Sequence, residues 1–379
     1  MQRKVGNAML KRFLVKNYKN FKNEVCLDFG NIAGYQSSPD CVQDGIITKM
    51  LIYGRNATGK TNLGKALMDI CSTMFNTPRF VKDGVFLNAD SGEDAAVFSY
   101  EFIFGGQRVS YKYARISEWE LQWEELRIDD NNIFKCDFIN KEYDFENLKY
   151  INADTANVER YLQSLDEGDE PEGLTETKLP FLRWLVGNVA LTNESILIRL
   201  SNYVRRMAVI SAGSGMRFHS RRTYDSFFET LENGQRLKDL EEFFNVMGIE
   251  CRLVLKRLPD GQRELYFAHE KLVPFYENAS SGTLALFDLY RRLIPSVWEP
   301  SLIYLDEFDA FYHYEMAENV IRFFKKKYQR CQIIMTSHNT NLMSNRLMRP
   351  DCLFILSKTS VLTALCNATE RVFREGHNL

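Results

Sequence analysis

Between Ala96 and Phe138 the chain runs through four successive segments, Ala96–Phe104, Arg108–Ile116, Glu120–Ile128 and Asn132–Phe138. Apolar and polar positions largely alternate along them, the period of half-buried strands. Gly105–Gly106 separates the first two and predicts a tight hairpin turn. Met9–Val15 and Glu24–Phe29 predict an earlier strand pair, with Asn17–Phe21 as its turn. Asn31–Gly45 is polar, carries Gly34, Ser37, Ser38 and Pro39, and predicts a loop. Three other runs, Ile46–Tyr53, Ser301–Leu305 and Cys331–Thr336, are apolar enough to be read as buried strands. Helices are predicted over Asn62–Met74 and Leu284–Ile294, and from near Val158, Leu179, Asn193, Thr223 and Gln235. Strands return at Glu250–Arg257 and Glu264–His269, around the turn Pro259–Asp260–Gly261.

This pattern divides the chain into a β-rich part over 1–140, a helical insertion over 141–248 and a closing α/β part over 249–379. The insertion contains the acidic, Gly/Pro-bearing loop Asp166–Glu172. No internal repeat, low-complexity tract or sustained heptad interrupts the division.

Composition narrows the class only a little. Of 379 residues, 45% are hydrophobic and 26% charged, the profile of an ordinary globular protein. The longest apolar runs are far too short to cross a bilayer, and the first residues lack a secretion signal's apolar core, so a cytoplasmic location is expected. Eight scattered cysteines form no C-x-x-C pair, which argues against a zinc site or a disulfide framework. The net charge of −2 gives the whole molecule no strong pull on nucleic acid. The densest basic stretch is Arg205, Arg206, Arg217, His219, Arg221 and Arg222. It is a candidate for phosphate contacts, or simply a solvated face.

Chemistry concentrates elsewhere. Residues Gly54–Thr61 read GRNATGKT and fill the phosphate-loop pattern G-x-x-x-x-G-K-[ST] between a predicted strand and a predicted helix. Gly54 and Gly59 let backbone N–H groups line an anion cradle, and the following helix points its positive end at the same anion. Lys60 is expected to reach the β- and γ-phosphates, and Thr61 to offer its hydroxyl to Mg²⁺. Asn56 within the loop and Asn62 beyond it are candidate nucleotide contacts. Ser301–Glu307 is an apolar strand ending in two acids: Asp306 is the candidate Mg²⁺ holder and Glu307 the candidate general base. Ser280, Ser281 and Gly282 open a helix and form a second candidate anion site, or a plain N-capped helix. Ser337–His338 ends the last buried strand, where it resembles the switch histidine of ABC-type ATPases, which implies a γ-phosphate sensor at His338.

In this order the phosphate loop, the Ser-Ser-Gly turn, the Asp-Glu strand and the histidine resemble the motifs of ABC-type ATPases. The resemblance implies an α/β ABC-ATPase head, a mixed β-sheet with the phosphate loop plus an antiparallel β subdomain, here with a helical insertion. It implies ATP and Mg²⁺ at the site. It also implies a head-to-tail homodimer or higher oligomer in which Ser280, Ser281 and Gly282 reach the partner's γ-phosphate, and a subunit-contacting loop at Phe308–Asp309–Ala310. Leu10–Phe21 resembles the first strand and turn of RecF, SMC and OLD-like ATPases, and Arg349–Leu356 resembles stand-alone ATPases of the OLD and AbiL kind. Those relatives imply regulation or scaffolding of a separate Toprim- or RloB-like effector, encoded nearby, in phage defence. A RecF-like ATPase that clamps DNA, and a nucleotide-gated binding module without useful turnover, are the competing expectations. For the family's Q-loop glutamine, Gln107 and Gln122 are the candidates. The insertion is too short for SMC-type coiled-coil arms.

Overall fold

The computed structural model describes residues 8–75, 84–166, 178–211, 221–293 and 299–368, without the side chains of 221–226. In chain order the strands and helices are β1 (Ala8–Lys16), β2 (Val25–Asp28), β3 (Val42–Gln43), β4 (Ile46–Ile47), β5 (Lys49–Tyr53), α1 (Lys60–Leu67) and α2 (Asp69–Phe75). Then follow β6 (Ala96–Phe104), β7 (Gln107–Arg115), β8 (Leu121–Ile128), β9 (Asn131–Asp137) and β10 (Glu142–Asp144). The middle holds α3 (Val158–Asp166), α4 (Phe181–Asn188), α5 (Ile196–Arg205), β11 (Met207–Ser211), α6 (Arg221–Glu232) and α7 (Gly234–Val246). The last part holds β12 (Leu253–Arg257), β13 (Arg263–Ala268), β14 (Leu272–Pro274), α8 (Phe275–Asn278), α9 (Ser281–Leu293) and β15 (Leu302–Asp306). It closes with α10 (Tyr314–Lys327), β16 (Gln332–Ser337), β17 (Leu353–Leu356) and β18 (Leu362–Ala364).

Two sheets organise the core. The first is antiparallel, in the order β10-β9-β8-β7-β6-β1-β2. Its alternation is the one read from the sequence: Phe98, Tyr100, Phe102 and Phe104 all point inward along β6. Gly105 and Gly106 both take positive φ, as a two-residue hairpin with the strands' own twist requires. The second sheet, β11-β15-β16-β5-β17-β18, is parallel except for β18. Strands β15 and β16 are buried at every residue, because a parallel sheet is covered on both faces.

Helices α1 and α2 lie between the layers. Tyr100 of the antiparallel sheet donates its hydroxyl to the Ala66 carbonyl, 2.9 Å away. Tyr113 and Arg115 both reach the Asp69 carboxylate, at 2.8 and 3.2 Å. Asp69 therefore opens a second helix where one continuous helix was expected over Asn62–Met74. On the other side, Gly64 faces the ring of Tyr304 on β15 so closely that an added Cβ would sit 2.6 Å from Cε1. The Gln332 amide joins the two sheets by pairing with both backbone groups of Leu10, at 2.7 and 2.8 Å.

The stretch 141–248, expected to be a helical insertion, needs correction. It is mostly helical, but β11 pairs in parallel with β15, from Met207↔Leu302 to Ser211↔Asp306. The stretch therefore contributes a strand to the parallel sheet. Five short apolar residues, MAVIS, do not reveal by periodicity whether they continue a helix or form a sheet edge. No described helix is long and apolar enough to cross a membrane.

Candidate functional site

Strands β5, β15, β16 and β17 all end at one edge of the parallel sheet, where Ser337 and Ile355 both register with Tyr53. Such an edge is where open α/β sheets hold ligands. The phosphate loop leaves β5 here. Ala57 and Gly59 take positive φ, 63° and 101°, which turns successive N–H groups to one side. Lys60 begins α1 and is only 3% exposed. Its ammonium donates to the carbonyls of Gly54 (2.7 Å) and Arg55 (3.2 Å) and lies 3.7 Å from a Glu307 carboxylate oxygen.

Asn20, from the β1–β2 turn, lies over Gly59; an added Cβ there would come within 2.2 Å of its amide nitrogen. That amide donates to the Thr58 carbonyl (3.2 Å) and accepts from Asn62 (2.7 Å). Ser360, in the β17–β18 hairpin, donates to the Asn20 carbonyl at 3.2 Å. The β1–β2 turn thus clamps the loop and is itself braced by the β17–β18 hairpin. Beside it opens a cavity of about 350 Å³ lined by Lys19, Asn62, Lys65, Val85, Leu87 and Ala89.

The acids of β15 are held by hydroxyls. Asp306 is 5% exposed; its Oδ2 accepts from Thr61 (2.7 Å) and its Oδ1 from Thr336 (3.0 Å). Burial raises its pKa above the ordinary aspartate range, with the two hydroxyl hydrogen bonds opposing that shift. The Thr336 hydroxyl also accepts the Glu307 N–H at 2.9 Å. Glu307 sits at φ 48°, a left-handed conformation that glutamate rarely adopts, and its side chain is 42% exposed. Strain of this kind persists where surrounding contacts impose it. Here the Thr336 bond and the Lys60 ammonium hold Glu307 over the loop.

The hydroxyl of Thr61 and the carboxylate of Asp306 form a hard-oxygen pair suited to Mg²⁺. His338 is exposed, one residue beyond Ser337, whose carbonyl accepts the Gly54 N–H at 3.1 Å. The structure therefore brings Gly54, Gly59, Lys60, Thr61, Asn62, Asp306, Glu307 and His338 to one edge, while Asn56 is exposed within the loop.

Ser280, Ser281 and Gly282 are placed differently. Ser280 accepts the Thr283 N–H (3.1 Å) and bonds the Thr283 hydroxyl (2.8 Å), so it caps α9. Ser281 is exposed, and a Cβ on Gly282 would lie 3.1 Å from the Phe311 carbonyl. Among the described residues no hydrogen bond joins these three to the phosphate loop. Both Q-loop candidates sit on the antiparallel sheet: Gln107 is exposed at the start of β7, and Gln122 lies within β8.

In the basic stretch, Arg205 lies over the Phe75 ring, 4.7 Å from its centroid, and Arg206 bonds the carbonyls of Asn202 and Glu299. Arg217 and His219, and the side chains of Arg221 and Arg222, lie outside the described residues. Among the described residues no cluster of His, Cys, Asp and Glu has the makings of a metal site, and all eight cysteines are free. Sequence reasoning missed Asn20, Thr336 and Ser337. A Thr-Ser pair directly before a histidine at a buried strand's end was the available signal for the last two.

A family model described as "AAA domain, putative AbiEii toxin, Type IV TA system" matches residues 49–344. The chain belongs to this AAA-domain family. Among solved structures it is similar to the SMC head domain from Thermotoga maritima, with 15% identity over 94% of this chain and 98% of that one and a TM-score of 0.43. It is also similar to an SmcHead bound to the C-winged helix domain of ScpA, with 14% identity over 92% and 93% and a TM-score of 0.45. A third is an Smc head domain with an extended coiled coil bound to the C-terminal domain of ScpA derived from Pyrococcus furiosus, with 13% identity over 94% and 96% and a TM-score of 0.43. No curated protein matches the chain.

Proposed function

We propose that this protein binds and hydrolyses ATP at a site shared between two copies of the chain. The supporting observation is the separation of two half-sites. Phosphate loop, Asp306, Glu307 and His338 meet at one sheet edge, whereas Ser281 is exposed on another element and makes no bond to them. A phosphate presented to the loop gives Lys60 a charged acceptor in place of neutral loop carbonyls, a stronger hydrogen bond. Thr61 and Asp306 would hold Mg²⁺, which supplies charge neutralisation on the β- and γ-phosphate oxygens. Glu307 Oε1 accepts a proton from the attacking water, its backbone fixed by Thr336. His338 donates toward the γ-phosphate, and Ser281 and Gly282 of a second copy close the far side. The nucleoside end takes the cavity beside Asn62. Catalysis is then mainly positioning and charge stabilisation.

Phosphate release by the wild type, and sedimentation of Glu307→Gln with and without ATP, test this together. Turnover by the wild type and an ATP-dependent dimer of the variant are expected. A variant that stays monomeric with ATP bound would overturn the shared site. An absence of phosphate release would leave only a nucleotide-gated binding module.

The family description names a toxin of a type IV toxin–antitoxin system. Beyond that description, we propose a role in a multi-component anti-phage system, in which nucleotide-driven dimerisation regulates a separate effector such as a Toprim- or RloB-like nuclease. Co-purification with the product of a neighbouring gene tests that role. The RecF-like alternative, clamping DNA, loses two of its six basic residues, because Arg205 and Arg206 are engaged within the chain.

A further inference from the structure

Two consecutive hydroxyls end β16, and each is bonded to an acid: Thr336 to the last residue of β15, Ser337 to one in the segment that follows it. Thr336 serves Asp306, as described above. Ser337 donates to Asp309 Oδ2 at 2.7 Å. Asp309 is 7% exposed, and its other oxygen, Oδ1, is buried without a hydrogen-bond partner among the described residues. Ser337 also accepts the Asn339 N–H on its hydroxyl (2.8 Å), and its carbonyl accepts the Gly54 N–H (3.1 Å). One serine therefore ties together the first glycine of the phosphate loop, the turn that presents His338, and Asp309. The loop bearing Asp309 is fixed by its own backbone: Phe308 N–H donates to the Thr336 carbonyl (3.3 Å) and Tyr312 N–H to the Asp309 carbonyl (3.0 Å). The resemblance to ABC-type ATPases pointed Asp309 at the facing subunit. Its carboxylate instead turns inward.

We propose that Asp309 is a positioning residue acting within its own chain, holding through the Ser337 hydroxyl both His338 and the Gly54 end of the phosphate loop. The inference rests on ATP hydrolysis at a site shared by two copies. A carboxylate is a stronger acceptor for a buried hydroxyl than a neutral group. It fixes the Ser337 rotamer, and with it the backbone turn that carries the histidine. Removing either partner leaves the site's atoms in place but loosens them, so turnover falls more than nucleotide affinity does.

The test uses Asp309→Ala, Asp309→Asn, Ser337→Ala, Ser337→Thr and the Asp309→Ala/Ser337→Ala pair, each in the full chain. Loss of such a supporting contact is expected to lower kcat about 10- to 100-fold, with KM for ATP nearly unchanged. The double variant is expected to be no worse than the poorer single one, because both remove the same bond. Ser337→Thr, which keeps the hydroxyl, restores most of the turnover. Additive losses, or a threonine variant as poor as the alanine one, would overturn the proposal.

Mixing separates the same chain from the facing one. Lys60→Ala is mixed with Asp309→Ala and, as a control, with Ser281→Arg. Regained turnover in the control alone is expected, since the facing chain's intact Asp309 cannot replace the missing one. Regained turnover in both mixtures would show Asp309 acting across the interface and sink the proposal. A silent control would fault the shared site instead, leaving the coupling between Asp309 and Ser337 to decide the inference. If Asp309→Ala does not fold, Ser337→Ala takes its place in the mixture.

Discussion

The strand-end acids and the Ser280–Gly282 turn treat their polar groups in opposite ways. Asp306 has a hydroxyl on each oxygen, Glu307 is fixed through its backbone N–H, and the bonds all come from the same chain. The Ser-Ser-Gly turn spends one serine capping its own helix and leaves the next exposed. A site whose chemistry depends on placement must be rigid before the ligand arrives, so Asp306 is buried with both oxygens bonded and the Glu307 backbone is pinned. A surface that must meet a second molecule is left free. On the proposed reading, one chain therefore carries both halves of a site without joining them.

The largest predicted effects break the first region outright. Lys60→Ala removes the buried cation and is expected to weaken ATP binding on the order of 100-fold or more by calorimetry. Glu307→Gln keeps binding but loses the proton acceptor, with turnover falling about 10²- to 10⁴-fold. The contrast sharpens if the two variants separate binding from turnover. A Glu307→Gln protein that turned over normally would remove the glutamate from the chemistry.

Thr336→Val tests the hydroxyl node without touching a charge. It strips one bond from Asp306 and one from Glu307, and about 10- to 100-fold in metal-dependent activity is expected to go with them. The measurement is a Mg²⁺ titration of phosphate release.

The pH dependence follows from the burial of Asp306. Its pKa in the fold is raised, so its charged form is disfavoured there and that penalty is present above the raised pKa. As pH falls through that pKa the penalty is relieved, so this residue does not drive acid unfolding. Only the carboxylate form holds a metal, however. Mg²⁺-dependent nucleotide binding is expected to weaken at a pH above the ordinary aspartate value of 3.8, while the far-UV spectrum holds. Binding that persisted until the protein unfolded would contradict the assignment.

Packing beneath the site gives the smallest effect on chemistry. Gly64→Ala places a methyl against the Tyr304 ring and is expected to cost about 1–3 kcal/mol of stability in denaturant melts.

Much of this was legible along the chain. The strands Ala96–Phe104 to Asn131–Asp137 follow the period-two pattern almost residue for residue, because their alternation is set by one buried face. The phosphate loop and the Asp-Glu strand declared themselves by local spacing. The rest depends on register between strands distant in sequence. Thr336 and Ser337 become meaningful only when β16 lies beside β15, and β11 only when it pairs there too. Asn20 reaches Gly59 through a turn whose neighbours carry no sign of it.

The shared site is tested most directly by mixing two variants that are each expected to be inactive, Lys60→Ala and Ser281→Arg. One lacks the phosphate-loop cation, and the other has a blocked Ser-Ser-Gly turn. Each heterodimer has one intact composite site, so ATP turnover absent from either protein alone should return on mixing. Turnover that stays absent in the mixture, or Ser281→Arg acting at the wild-type rate by itself, would contradict the account.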